Sequence, residues 1–189
     1  MVRGGAKPSL LASYAIERGI ADQHVLEVSD EVHGLVMKLI AACADGAAPV
    51  LPQGDPAEER AATRRRSMLD MSYAGSALAA QAGTAAAVPA PGKRFPGRVH
   101  LQGTCHHLLV FGKAPRLDDL HAGWGQLVSI IDGADAQFDA GEAGVPDGGA
   151  VLIRPDGFIG FRAAPATEVT MRALDAHLSS YLIPQVGLA

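Results

Sequence analysis

Asparagine is missing from this 189-residue chain, lysine is scarce beside arginine, and only two cysteines occur. The first two features, with abundant alanine, match the bias expected of a GC-rich bacterial genome, an expectation about source and not chemistry. Cys43 and Cys105 form neither a CxxC pair nor the dense framework of a small secreted protein, which predicts two free buried thiols. No run of about 18 apolar residues is present to span a bilayer, and MVRGGAKPSLL lacks the apolar stretch and cleavage site of a signal peptide. A soluble, cytoplasmic protein without a membrane partner is the expectation. A net charge of −4 argues against a phosphate-binding surface, so nucleic acid is not an expected partner. Neither GxGxxG nor a P-loop occurs, and Arg3-Gly4-Gly5 precedes a helix with no strand before it. Asp132, Asp135, Asp139 and Glu142 lack the spacing of a calcium loop and are expected to be solvated acids.

Against these gaps, 48% of the residues are apolar, enough for a sizeable core. From Ser9 to Ala44, apolar positions recur at intervals of three and four: Leu11, Tyr14, Ile20 or Ala21, Val25, Val28, Val32, Leu35 or Val36, Leu39 and Cys43. That period predicts helix with one buried stripe, started by Pro8-Ser9 and stopped by Asp45-Gly46. It would be about 50 Å long. Gly19, Gly34 and a cap at Ser29-Asp30 allow two helices end to end instead. A turn-rich linker follows, then Asp55 and Pro56 open a second helix as cap and first residue. Arg64, Arg65 and Arg66 on it are expected to form a solvated face. Residues 72–97, rich in Ala, Gly, Pro and Ser, predict an extended connection without secondary structure.

The second half predicts the compact fold. Arg98–Gln102 and His106–Gly112 read as strands, Leu117–Gly123 as a short helix, Gly125–Asp132 as a further strand. The intervening helix makes the latter two strands parallel, through a right-handed crossover. Ala150–Arg162 reads as a hairpin around Pro155-Asp156-Gly157, with Gly157 left-handed. Counting outward pairs Ile153 with Ile159 and Val151 with Phe161 and puts all four on one face. Pro165 and Thr167 open a last helix with Val169, Leu174, Leu178, Tyr181 and Leu182 on its apolar side. The sum is an α/β fold, a thioredoxin-like β-α-β-β-β-α mixed sheet with helices on its faces, after a long helical segment. The division expected is 1–71 helical, 72–97 linker, 98–189 thioredoxin-like.

Dithiol chemistry is excluded, because Lys113-Ala114-Pro115-Arg116 stands where the redox cysteines belong. Cys105-His106-His107 could offer a nucleophile with a base, or metal ligands, but neighbours on a strand point to opposite faces. Ordinary strand-entry side chains are the simpler reading, and core filling is that of Trp124. No residue is nominated as catalytic, cofactor-binding or metal-ligating.

Three stretches resemble one family. Leu10-Leu11-Ala12-Ser13-Tyr14-Ala15-Ile16-Glu17-Arg18 is similar to the LLxSYxxER helix that ends the flavin domain of class A FAD-dependent aromatic hydroxylases. Ser72-Tyr73-Ala74-Gly75-Ser76-Ala77-Leu78 resembles their YxxSxL link. Val151–Arg162 resembles the LVRPDGxVAWR signature of their thioredoxin-like C-terminal domain, seen in phenol and polyketide hydroxylases. The FAD-binding GxGxxG, DG and GD motifs of that family do not occur here, so no catalytic or cofactor residue carries over. The resemblance implies a C-terminal portion, or a separately encoded remnant, that serves packing or oligomerisation and is inactive and colourless alone. Its partner would be a second copy or a flavin-binding chain that carries the FAD, and the long helix and linker would lie against it. The alternatives are a stand-alone enzyme or small-molecule binder using Cys105 and the nearby histidines, or a chain that completes a flavin domain in trans.

Overall fold

Ser9–Ala44 folds as one helix, α1, rather than two: Gly19 and Gly34 sit inside it without breaking it. The computed structural model describes residues 5–46, 55–84, 89–97, 103–135 and 138–184, so the expected strand at Arg98–Gln102 lies outside the described residues. The chain divides into two compact units. One is Glu17–Met71; the other joins the residues up to Ile16 with those from Ser72 onward.

The single stripe expected on α1 proves to be two. Ile20, Ala21, Val28, Leu35 and Leu39 are half-buried. Leu11, Tyr14, Val25, Val32 and Val36 are 41–63% exposed, as is Ile40. At 3.6 residues per turn the exposed set makes its own row, roughly a quarter to a third of a turn from the covered one. Within Glu17–Met71, the second helix, α2 (Pro56–Arg66), starts as the sequence predicts, with the Asp55 carboxylate accepting from the Ala57 N–H at 2.9 Å. Arg64 and Arg66 are exposed, but Arg65 reaches Glu27 at 3.2 Å and Glu31 at 3.1 Å on α1.

The other unit is built on a five-stranded mixed sheet, so the chain is α/β as expected. Its elements are β1 (Ala80–Gly83), β2 (His106–Phe111), α3 (Leu117–Trp124), β3 (Val128–Asp132), β4 (Gly149–Ile153), β5 (Ile159–Ala164) and α4 (Glu168–Tyr181), with strand order β1-β5-β4-β2-β3. The pair joined through α3, β2 and β3, is parallel as predicted, and β1 adds a parallel edge to β5. That edge strand arises in the stretch expected to have none. Its sequence, AQAG, has too little apolar alternation to announce a strand, and β5 supplies the template.

Two expectations about the sheet are corrected. First, both helices of this unit cover one face, where Leu120 and Trp124 of α3 and Met171, Leu174 and Leu178 of α4 pack on Leu108, Leu152 and Phe161. The opposite face, with Leu109, Val151, Ile153 and Ile159, is closed by Phe95, Ala143 and Val145 from irregular segments. Second, the hairpin pairs Val151 with Arg162 and Leu152 with Phe161, while Ile153 still pairs with Ile159. Gly160 is an extra residue on β5, a bulge that carries Phe161 to the helix-covered face. The turn itself is as read, with Gly157 at φ 85°.

α4 is capped by Thr167, whose hydroxyl accepts from the Thr170 N–H at 3.2 Å while Thr170 Oγ1 accepts from the Thr167 N–H at 2.8 Å. Thr167→Ala is expected to lower stability by about 1 kcal/mol, read from thermal unfolding. Val169 is not part of the buried side; at 75% exposure it faces solvent, and Met171 takes its place. The thiols also differ from expectation. Both are free, but Cys43 is exposed near the end of α1 and Cys105 is only half-buried. Among the described residues no helix is long and apolar enough to cross a membrane.

Candidate functional site

β2 begins with two histidines, and the pleat separates them. His107 turns to the irregularly covered side of the sheet, where it is buried and neither ring nitrogen has a hydrogen-bond partner. His106 turns to the helix side. There its Nε2 lies 3.4 Å from the Tyr181 hydroxyl, at the C-terminal end of α4. His177, one turn earlier on α4, packs edge-on to Tyr181 at 5.3 Å and against Phe161 at 5.1 Å.

Arg154 joins this group through strand register. His107 pairs with Ile153 across β2 and β4, so the next residues outward, His106 and Arg154, come to the same end of the sheet. Arg154 follows β4 directly, and its guanidinium meets the Asp156 carboxylate at 2.5 Å within the turn. It also lies 5.6 Å from the ring centre of Tyr73, which packs on Phe158 at 4.6 Å. The stretch around Tyr73 and the Arg-Pro-Asp-Gly turn, two separate marks in the sequence, are therefore one packed corner.

The N-terminal segment closes the other side. Ala6 bridges Leu182, the Lys7 N–H donates to the Tyr181 carbonyl at 2.9 Å, and the Lys7 ammonium donates to the Ser179 carbonyl. Between this segment, the end of α4 and the hairpin turn lies a cavity of about 490 Å³. Its walls are Gly5, Ala6, Leu10, Leu78, Leu127 and Leu182; its polar groups come from Thr104, His106, Arg154, Asp156 and Tyr181.

Electrostatics decide what these groups can do. Burial, then the nearby Arg154 charge, lowers His106 to about 4, against an opposing pull from Asp156. Burial likewise lowers His177 to about 4 and raises the Tyr181 phenol. At neutral pH the imidazoles are uncharged and weakly basic, and the phenol is a weak acid, so the group is suited to hydrogen bonding more than to proton transfer. Cys105 does not line the cavity; its Sγ points to the Gln126 carbonyl at 3.6 Å. Cys105, His106 and His107 are thus not brought together. The sequence places Tyr181 only on the apolar side of the last helix and Arg154 only within the hairpin strand before the turn. The pairing of β2 with β4 brings Arg154 to His106, and the end of α4 brings Tyr181 there, with no local sequence signal for either. Among the described residues no group of three or more His, Cys, Asp or Glu converges as a metal site.

A family model described as aromatic-ring hydroxylase, C-terminal, matches residues 88–182. Among solved structures, the chain is similar to OxyS anhydrotetracycline hydroxylase from Streptomyces rimosus, at 26% identity and TM-score 0.46, over 67% of this chain and 26% of that one. It is also similar to a structure titled native and K252c-bound RebC-10x, at 20% identity and TM-score 0.49, over 95% of this chain and 39% of the other. The chain thus spans well under half the length of either. No curated protein sequence matches it.

Proposed function

This chain belongs to the aromatic-ring hydroxylase C-terminal family, and from that premise we propose that it is the accessory portion of an FAD-dependent aromatic-ring hydroxylase, serving packing or oligomerisation and not catalytic alone. The helical segment, 1–71, supplies the docking surface, and 98–189 form a thioredoxin-like domain to whose sheet and core 72–97 add the edge strand β1 and Phe95. The partner is a flavin-binding domain or a second copy. The observation that carries this is the exposed apolar row on α1, from Leu11 to Ile40. Each such side chain contributes about 1.5–3 kcal/mol when fully removed from water, so six in a row favour a cover.

The chain's own residues do not suit a flavin. The strand-to-helix steps among the described residues, Gly112–Arg116 and Pro165–Thr167, lack the glycine spacing that lets backbone approach a pyrophosphate. The FAD is therefore assigned to the partner, and no step of the reaction is placed on this chain. Sedimentation velocity on the purified, colourless chain is expected to show self-association at micromolar concentration, or binding to a flavin-binding domain of the family. Val32→Glu with Val36→Glu should abolish it. A monomer that binds neither, or a yellow preparation that retains FAD, would overturn the proposal.

A further inference from the structure

The cavity beside α4 has the features of a ligand site and is not needed for the packing role. We infer that it binds a small, uncharged, predominantly apolar molecule carrying a hydroxyl or carbonyl group, held through His106 and Tyr181. Three observations lead there. Its volume of about 490 Å³ falls within the range of small-molecule pockets, and its walls are mostly aliphatic. The charged groups at its edge already cancel, since Arg154 and Asp156 meet at 2.5 Å. An added carboxylate would lie against Asp156 and an added ammonium against Arg154, each losing water without gaining a partner.

The third observation concerns the polar groups. His106 Nε2 and the Tyr181 hydroxyl are 3.4 Å apart, long for a bond to a hydroxyl oxygen. An oxygen entering between them exchanges one stretched contact for shorter ones to both. The phenol can donate or accept, while the uncharged imidazole, whose single N–H is engaged by the Leu127 carbonyl, accepts at Nε2, so a hydroxyl is matched by both groups and a carbonyl by the phenol. Cys105 takes no part, because it lies outside the lining.

The test is equilibrium dialysis of the purified chain against 2-naphthol, with naphthalene and 2-naphthoate as comparators. Saturable binding of 2-naphthol at one site is expected, with naphthoate bound at least tenfold more weakly. Tyr181→Phe removes the hydroxyl with little change of shape; it should weaken 2-naphthol about fivefold and leave naphthalene unchanged. Leu127→Trp, which fills the cavity, should abolish binding of both. Ala6→Trp, on the opposite wall, does the same where Leu127→Trp fails to fold. Val32→Glu with Val36→Glu should bind 2-naphthol like the parent, so the outcome here is separate from that of the packing proposal. Absence of saturable 2-naphthol binding, equal binding of naphthoate, or a Tyr181→Phe effect as large on naphthalene as on naphthol would each overturn the inference.

Discussion

Arg162→Ala is expected to destabilise the protein by about 3 kcal/mol, measured as a lower urea midpoint at unchanged slope. Arg162 lies on β5 opposite Val151 and is only 1% exposed. Its Nη1 donates to the Pro89 carbonyl at 2.6 Å and its Nη2 to Gln81 Oε1 at 2.8 Å. The side chain thereby ties the edge strand β1 and the segment after it to the sheet. Truncation leaves two acceptors without these donors and opens a space the length of an arginine, and each effect alone is worth about 1–3 kcal/mol. Burial pulls the guanidinium pKa down, yet arginine stays charged at any ordinary pH. Arg162→Lys keeps the charge but not the planar fork, so it should fall between the parent and alanine. A midpoint for Arg162→Ala equal to that of the parent would show that these bonds carry no weight.

The second large effect is acid lability. His106 and His177 have folded-state values near 4, below the ordinary 6.5 of an unfolded chain. Between these limits the unfolded state binds more protons, so stability is complete above about pH 6.5 and falls as pH drops toward 4. For such a shift, at most about 2 kcal/mol per histidine is lost at pH 5. The groups facing the pair are Arg154, Asp156 and the Tyr181 phenol, and Arg154 lowers both imidazoles. His177→Phe keeps the aromatic packing on Phe161 and Tyr181 and removes one titrating site. Urea denaturation at pH 7 and pH 5 should show a smaller difference for this variant than for the parent, the remainder coming from His106 and from His107, which burial also lowers. A parent protein equally stable at both pH values would contradict the assignment of neutral, buried imidazoles.

The histidines also show where reading along the chain stops. Adjacent strand positions point to opposite faces, so His106 and His107 were separable from sequence alone. What His106 meets depends on β4 lying beside β2 and on α4 crossing the same end of the sheet. Tyr181 is 75 residues away, and no local pattern encodes that distance. The hairpin makes the same point at short range. Its turn was legible because Pro155, Asp156 and Gly157 each suit one backbone conformation. Its pairing beyond Ile153 was not, because a bulge at Gly160 shifts register by one residue, and in a period-two element one residue changes the face.

The sequence by itself determined the helices with chemical caps, the α/β order, the parallel β2–β3 pair and the lack of a dithiol, because each rests on local stereochemistry or on residues simply present or missing. The tertiary structure alone decided the edge strand β1, the placing of both helices on one face, the division of α1 into covered and exposed rows, and the cavity around His106, Tyr181 and Arg154. Those depend on which distant surfaces exclude water from one another, and burial of that kind is a property of the folded chain, not of any segment within it.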